Sequence, residues 1–135
     1  MRRLLLAYQI VVASSDTFTG AGLMIAPAFT LSLMGANIVP AIAVWIGYIG
    51  SFVFAVGLLC ACGVLILLRQ GKRAHMEMLW LATAIVRISV AVYVTLQVLS
   101  AQLALPWLQV AVFDAACAAV QLIRLRRRWL NHALC

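Results

Sequence analysis

The sequence predicts an all-α integral membrane protein: four transmembrane helices in an up-down-up-down antiparallel bundle, the first helix broken near Pro27. Three observations lead there. Of 135 residues, 67% are hydrophobic and 10% are charged, against about half and about a quarter in soluble domains. The apolar residues fall into four continuous runs, each long enough for the about 20 residues that span a bilayer. They lack the alternation of a membrane barrel strand. Basic residues gather only at every second break between the runs. A mean hydropathy of +1.12 excludes a soluble enzyme and a disordered chain alike.

The spans are placed at about 4–26, 41–68, 76–103 and 107–125, in one domain with a basic cytoplasmic tail at 126–135. Span one follows Arg2 and Arg3. Its start imitates a secretory signal peptide, but apolar sequence resumes at once through Leu33, so the helix stays uncleaved. Pro27 lacks an N–H and breaks the helix. Ala28 to Met34 then form a short helix near the interface. Gly35 to Pro40 link to span two. Arg69 to His75 link spans two and three. Glu77, near the start of span three, suits the helix dipole. Ser100 to Pro106 form the last link, with Pro106 at the first position of the last helix. Short links favour antiparallel neighbours. Trp107 and Trp129 suit the headgroup level. Gly47, Ser51 and Ala55 on span two, and Ala111, Ala115 and Ala119 on span four, are small-residue stripes that let helices approach.

Charge sets the orientation. Ten Lys and Arg face three acids, for a net +7. Arg2, Arg3, Arg69, Lys72, Arg73, Arg124, Arg126, Arg127 and Arg128 all fall on one side of the four-span layout. The positive-inside rule puts that side, with both termini, in the cytoplasm of a bacterium, across its inner membrane. These clusters are read as topology signals that meet anionic lipid, not nucleic acid.

Three ionisable residues remain inside the spans: Asp16, Arg87 and Asp114. At about 1.5 Å per helical residue, they lie about 20, 21 and 15 Å from the basic edge. They reach similar depths on three helices. Intramembrane charges are expensive and mark sites or routes. Two readings stand. One is a binding or proton-handling site, with one acid protonated because a single Arg cannot neutralise two. The other is a buried ion pair that fixes register, most simply Arg87 with Asp114. Gln9 and Thr19 share a face with Asp16. Thr83 lies one turn from Arg87, and Gln121 two turns from Asp114. Tyr93, Gln97 and Ser100 form a further strip. These polar residues either line a cavity or form interhelical hydrogen bonds.

Other chemistry finds no support. His75 and His132 lie outside the spans as placed, which argues against an intramembrane bis-His haem or histidine metal site. Cys60, Cys62, Cys117 and Cys135 contain no C-x-x-C. The three within spans read as apolar fillers. No nucleophile–base set or phosphate loop is visible, so a catalytic role is undecided and disfavoured.

The segments Pro27–Gly35 and Gly47–Leu58, with Arg87 in span three and Asp114 in span four, resemble the DoxX-like group of small four-helix bacterial membrane proteins. The resemblance covers most of the chain. It implies a quinone-linked or complex-forming role. The first expectation is therefore an accessory subunit or a module binding a hydrophobic, quinone-like ligand at the Asp16, Arg87 and Asp114 cluster. Quinone is the cofactor it implies. The alternative is a small oligomeric proton- or ion-coupled transporter. The expected partners are the lipid bilayer and a protein partner or further copies of the chain.

Overall fold

The computed structural model describes residues 2–36, 40–69 and 73–126. Among them every regular element is helical. Helix α1 spans Arg2–Ile25, α2 Pro27–Leu33, α3 Ala43–Leu68, α4 Arg73–Leu99 and α5 Leu108–Arg126. Short 3-10 turns, Pro40–Ile42 and Leu105–Trp107, lead into α3 and α5. Expectations for the links at 37–39 and 70–72, and for the tail at 127–135 with Trp129, His132 and Cys135, lie outside the described residues.

Among the described residues, three helical stretches are long and apolar enough to cross a membrane: Ala43–Leu68, Ala74–Leu99 and Leu105–Arg126. The expected first span, α1, has the length but not the apolarity. Gln9, Ser14, Ser15, Asp16, Thr17 and Thr19 dilute its apolar sequence.

The break after α1 falls at Ala26, whose φ of −139° and ψ of 66° leave the helix before Pro27. Helix α2 closes with Gly35 at φ +75°. The Ala36 N–H donates to the Leu31 carbonyl at 2.9 Å and the Gly35 N–H to the Ser32 carbonyl at 3.0 Å. This is the Schellman pattern, in which a left-handed residue satisfies the last carbonyls. The same pattern ends α4, with Ala101 at φ +57°. There Gln102 donates to Gln97 at 2.9 Å and Ala101 to Val98 at 3.1 Å. Span three therefore stops at Leu99, four residues short of the expected Leu103. It also begins at Arg73, so Glu77 lies beyond the first turn. Pro106 sits in the 3-10 turn, and α5 starts at Leu108.

Helices α1 and α3 form one antiparallel hairpin. Gly50 faces Gly20 and Leu23, Gly57 faces Thr17, and Gly63 faces Gln9. A Cβ on Gly57 would lie 2.6 Å from the Thr17 nitrogen and 2.9 Å from its Cα. Helices α4 and α5 form a second antiparallel hairpin, through Thr83–Gln121 and Arg87–Asp114. The tightest approaches of α3 to α1 are thus at Gly50, Gly57 and Gly63; of the expected stripe, Gly47 also lies against α1, where a Cβ would meet the Leu23 carbonyl at 3.8 Å, and Ser51 is half-buried. Ala55 is exposed. On α5, Ala111 is buried while Ala115 and Ala119 are exposed.

The core has apolar plugs at both ends. Leu5, Leu67, Met76 and Trp80 form the plug at the basic end, all fully buried. Leu23, Leu31, Ala36 and Ile46 form the other, with Met34 and Trp107 against it. Trp107 therefore packs inward. Tyr93 is 62% exposed and Ser100 is exposed, so that strip lines no internal cavity. Large apolar side chains such as Phe18, Phe52, Val92 and Leu96 point outward.

Candidate functional site

Between the plugs lies a buried polar layer. Arg87 of α4 is at its centre. Its Nη2 donates to Asp16 Oδ2 of α1. Its Nη1 donates to Asp114 Oδ1 of α5 at 2.5 Å. The side chains of Arg87, Asp16 and Asp114 are 3%, 8% and 13% exposed, so the cluster is withdrawn from its surroundings. The Phe113 ring covers the guanidinium, its centroid 5.6 Å from Cζ, within cation–π range. The depth argument expected these three residues at one level, and the structure brings them together. It also resolves the pairing: Arg87 holds both acids, not Asp114 alone.

The two pairs differ in what they join. Arg87 and Asp114 belong to the same hairpin. Asp16 belongs to the other. The Arg87–Asp16 pair therefore ties the hairpins together.

Gln9, Thr83 and Gln121 lie one layer nearer the basic end and are fully or almost fully buried. Gln9 Nε2 donates to the Cys60 carbonyl at 2.9 Å. Its Oε1 accepts from Trp80 Nε1 at 3.0 Å. Gln121 Nε2 donates to Thr83 Oγ1 at 3.1 Å. The Thr83 hydroxyl donates to the Leu79 carbonyl at 2.9 Å. Gln9 and Gln121 are thus hydrogen-bonded across helices, and Thr83 both to its own helix and to α5. Thr19 is only half-buried.

Two members were not singled out from the sequence. Trp80 is the donor to Gln9, and the Tyr8 hydroxyl donates to the Cys117 carbonyl at 3.2 Å. A signal for Trp80 existed. Gln9 and Asp16 are seven apart, as are Trp80 and Arg87, and both contacts join residues 71 apart. Two parallel helices with matching seven-residue intervals repeat the same contact two turns on. Cys60 and Cys117 are buried near this layer and Cys62 is exposed, all with free thiols. Among the described residues no group of His, Cys, Asp and Glu is placed to hold a metal.

No known protein family matches the chain, and no curated protein or solved structure matches it either.

Proposed function

We propose that the chain is a four-span protein of the bacterial inner membrane, both termini cytoplasmic, that works as a small transporter carrying protons across it. The pairwise directions of its helices support an up-down-up-down bundle in which α1 is the first span. Its polar residues can cross lipid because Gln9 and Asp16 are turned into the protein and bonded there.

The observation that carries the functional reading is that two carboxylates from different hairpins share one guanidinium. In a low-dielectric interior that arrangement calls for one more positive charge. A proton is the smallest that fits a closely packed cluster. Placed on Asp16, it weakens the tie between the hairpins. Binding then favours one arrangement of the hairpins over the other, as moving a proton from one side to the other requires.

The test is proton flux into liposomes, read with a trapped pH dye. The intact protein should carry protons down an imposed gradient. Asp16→Asn and Asp114→Asn should each abolish the flux while melting near the wild-type temperature. Wild-type flux no greater than that of empty liposomes would overturn the reading.

A second reading, an accessory subunit or quinone-like binding module of the DoxX-like kind, has one observation of its own. Two apolar grooves of about 370 and 260 Å³ follow the α4–α5 seam, both bordered by Ala91, Val92 and Ala115. They suit an isoprenoid or acyl chain. Native mass spectrometry from a mild detergent would show such a ligand, or a protein partner, still bound. Filling the groove by Ala115→Leu should release the ligand.

A further inference from the structure

Arg87 Nε, a donor, and Gln121 Oε1, an acceptor, are buried with no hydrogen-bond partner among the described residues. They belong to residues that are 2% and 0% exposed. A buried group in this state carries its full desolvation cost, and each one in a native protein calls for an explanation, an internal water or ion among them.

Their placement is complementary. Helical side chains lean toward their own N-terminus. Arg87 keeps its Nη atoms on Asp16 and Asp114, which leaves its Nε nearer the α4 backbone, one turn from Thr83. Helix α5 ends at the basic end, so Gln121 leans up toward the level of Cys117. The bond from Gln121 Nε2 to Thr83 Oγ1 holds the carboxamide one turn of α4 below Arg87. The Tyr8 hydroxyl, anchored on the Cys117 carbonyl, adds an acceptor oxygen at that level. A small protic molecule there would have the polar partners that an internal water needs.

We propose that an internal water binds between Arg87 and Gln121, accepting from Arg87 Nε and donating to Gln121 Oε1, and that it is the last step of a proton route into the cluster from the basic end. Thr83 and Gln121 line this route. The plug of Leu5, Leu67, Met76 and Trp80 closes its mouth. The route rests on the transport reading above; the water site does not.

The two can be separated by experiment. Intact protein with nitrogen-15 arginine is placed in liposomes for water-edited solid-state NMR. The Arg87 Nε signal is assigned by its loss in Arg87→Lys. Expected is rapid magnetisation transfer from water to Arg87 Nε despite its burial, and loss of that transfer in Gln121→Met. The same variant should slow proton entry by about tenfold, the rate equivalent of one lost hydrogen bond. A dry Arg87 Nε in the wild type overturns the water site, and needs no variant to fold. A wet Nε with unchanged flux in a correctly melting Gln121→Met overturns the route. A wet Nε in a protein that carries no protons leaves the site standing and removes the transport reading alone.

Discussion

The seam within the first hairpin and the joint between the two hairpins are built on opposite plans. Along α1 and α3, glycines bring backbones together, and the contacts at Gly20, Gly50 and Gly57 leave no room for a side chain. Between hairpins, long side chains reach across with polar heads: Gln9 to Trp80, Arg87 to Asp16, Tyr8 to Cys117 and Gln109 to the Met34 carbonyl. In lipid no hydrophobic force draws helices together, so packing and hydrogen bonds decide. A glycine seam resists sliding because any shift drives backbone into backbone. A joint made of side-chain heads can open by rotamer changes. The first plan builds a rigid unit, and the second lets two units move.

The strongest way to break this contrast is at Arg87. Arg87→Met leaves two buried carboxylates without a counter-charge, a loss of about 3–5 kcal/mol for a broken buried pair. Replacing all three members, as Asp16→Leu, Arg87→Met and Asp114→Leu together, should recover most of that stability, since apolar residues can replace a buried ionic triad. The recovered protein should carry no protons. Thermal melting in detergent and liposome flux check both halves. A triple variant as unstable as Arg87→Met would mean that the joint needs its charges in order to fold.

Next in size is the seam itself. Gly57→Ala forces a methyl group against the Thr17 backbone and should cost about 1–3 kcal/mol, the range for overpacked sites. The matched control is Ala55→Gly, two residues away on an exposed face, which carries only the helix-propensity cost of up to about 1 kcal/mol. If the two variants melt alike, the glycine seam is not the rigid element described above.

Smaller still is the amide of the joint. Gln9 makes two interhelical bonds, and Gln9→Leu should cost about 1–2 kcal/mol, near the upper range for such bonds in membranes. It leaves the Trp80 Nε1–H without its acceptor, so tryptophan fluorescence should shift with the loss in melting temperature. A shift with no loss of stability would reduce Gln9 to a spectator.

The contrast also explains what could be read from the sequence. The helices were legible because apolar runs and charge clusters are long-range signals. The break at Pro27 was legible because one residue type causes it. The level of Asp16, Arg87 and Asp114 followed from counting residues from a charged edge. The seam was harder. Spacing by four suggests Gly47, Ser51 and Ala55 as readily as Gly50 and Gly57, and only the partner helix decides which face is used. Gln9 with Trp80 was hidden for a similar reason: a tryptophan in an apolar run reads as filler until an acceptor is placed opposite it.

The end of α4 was the least legible feature, and it yields the smallest prediction. Two helices at the uncharged end close with the same Schellman geometry, one through Gly35 and one through Ala101. Glycine takes the left-handed conformation without a steric penalty, whereas an L-residue is disfavoured there by about 1–2 kcal/mol. Gly35 announces its helix end in the sequence; Ala101 does not, and the apolar run through Leu103 hides the stop. Ala101 is exposed, so removing its methyl group sacrifices little packing. Ala101→Gly should therefore stabilise the protein by about 0.5–1 kcal/mol, after allowing for the greater freedom of glycine in the unfolded chain. The reciprocal change, Gly35→Ala, should destabilise by a similar amount. Melting curves of the two variants, run side by side, read the sign directly. A destabilised Ala101→Gly would show that the Ala101 methyl group makes contacts worth more than its strain.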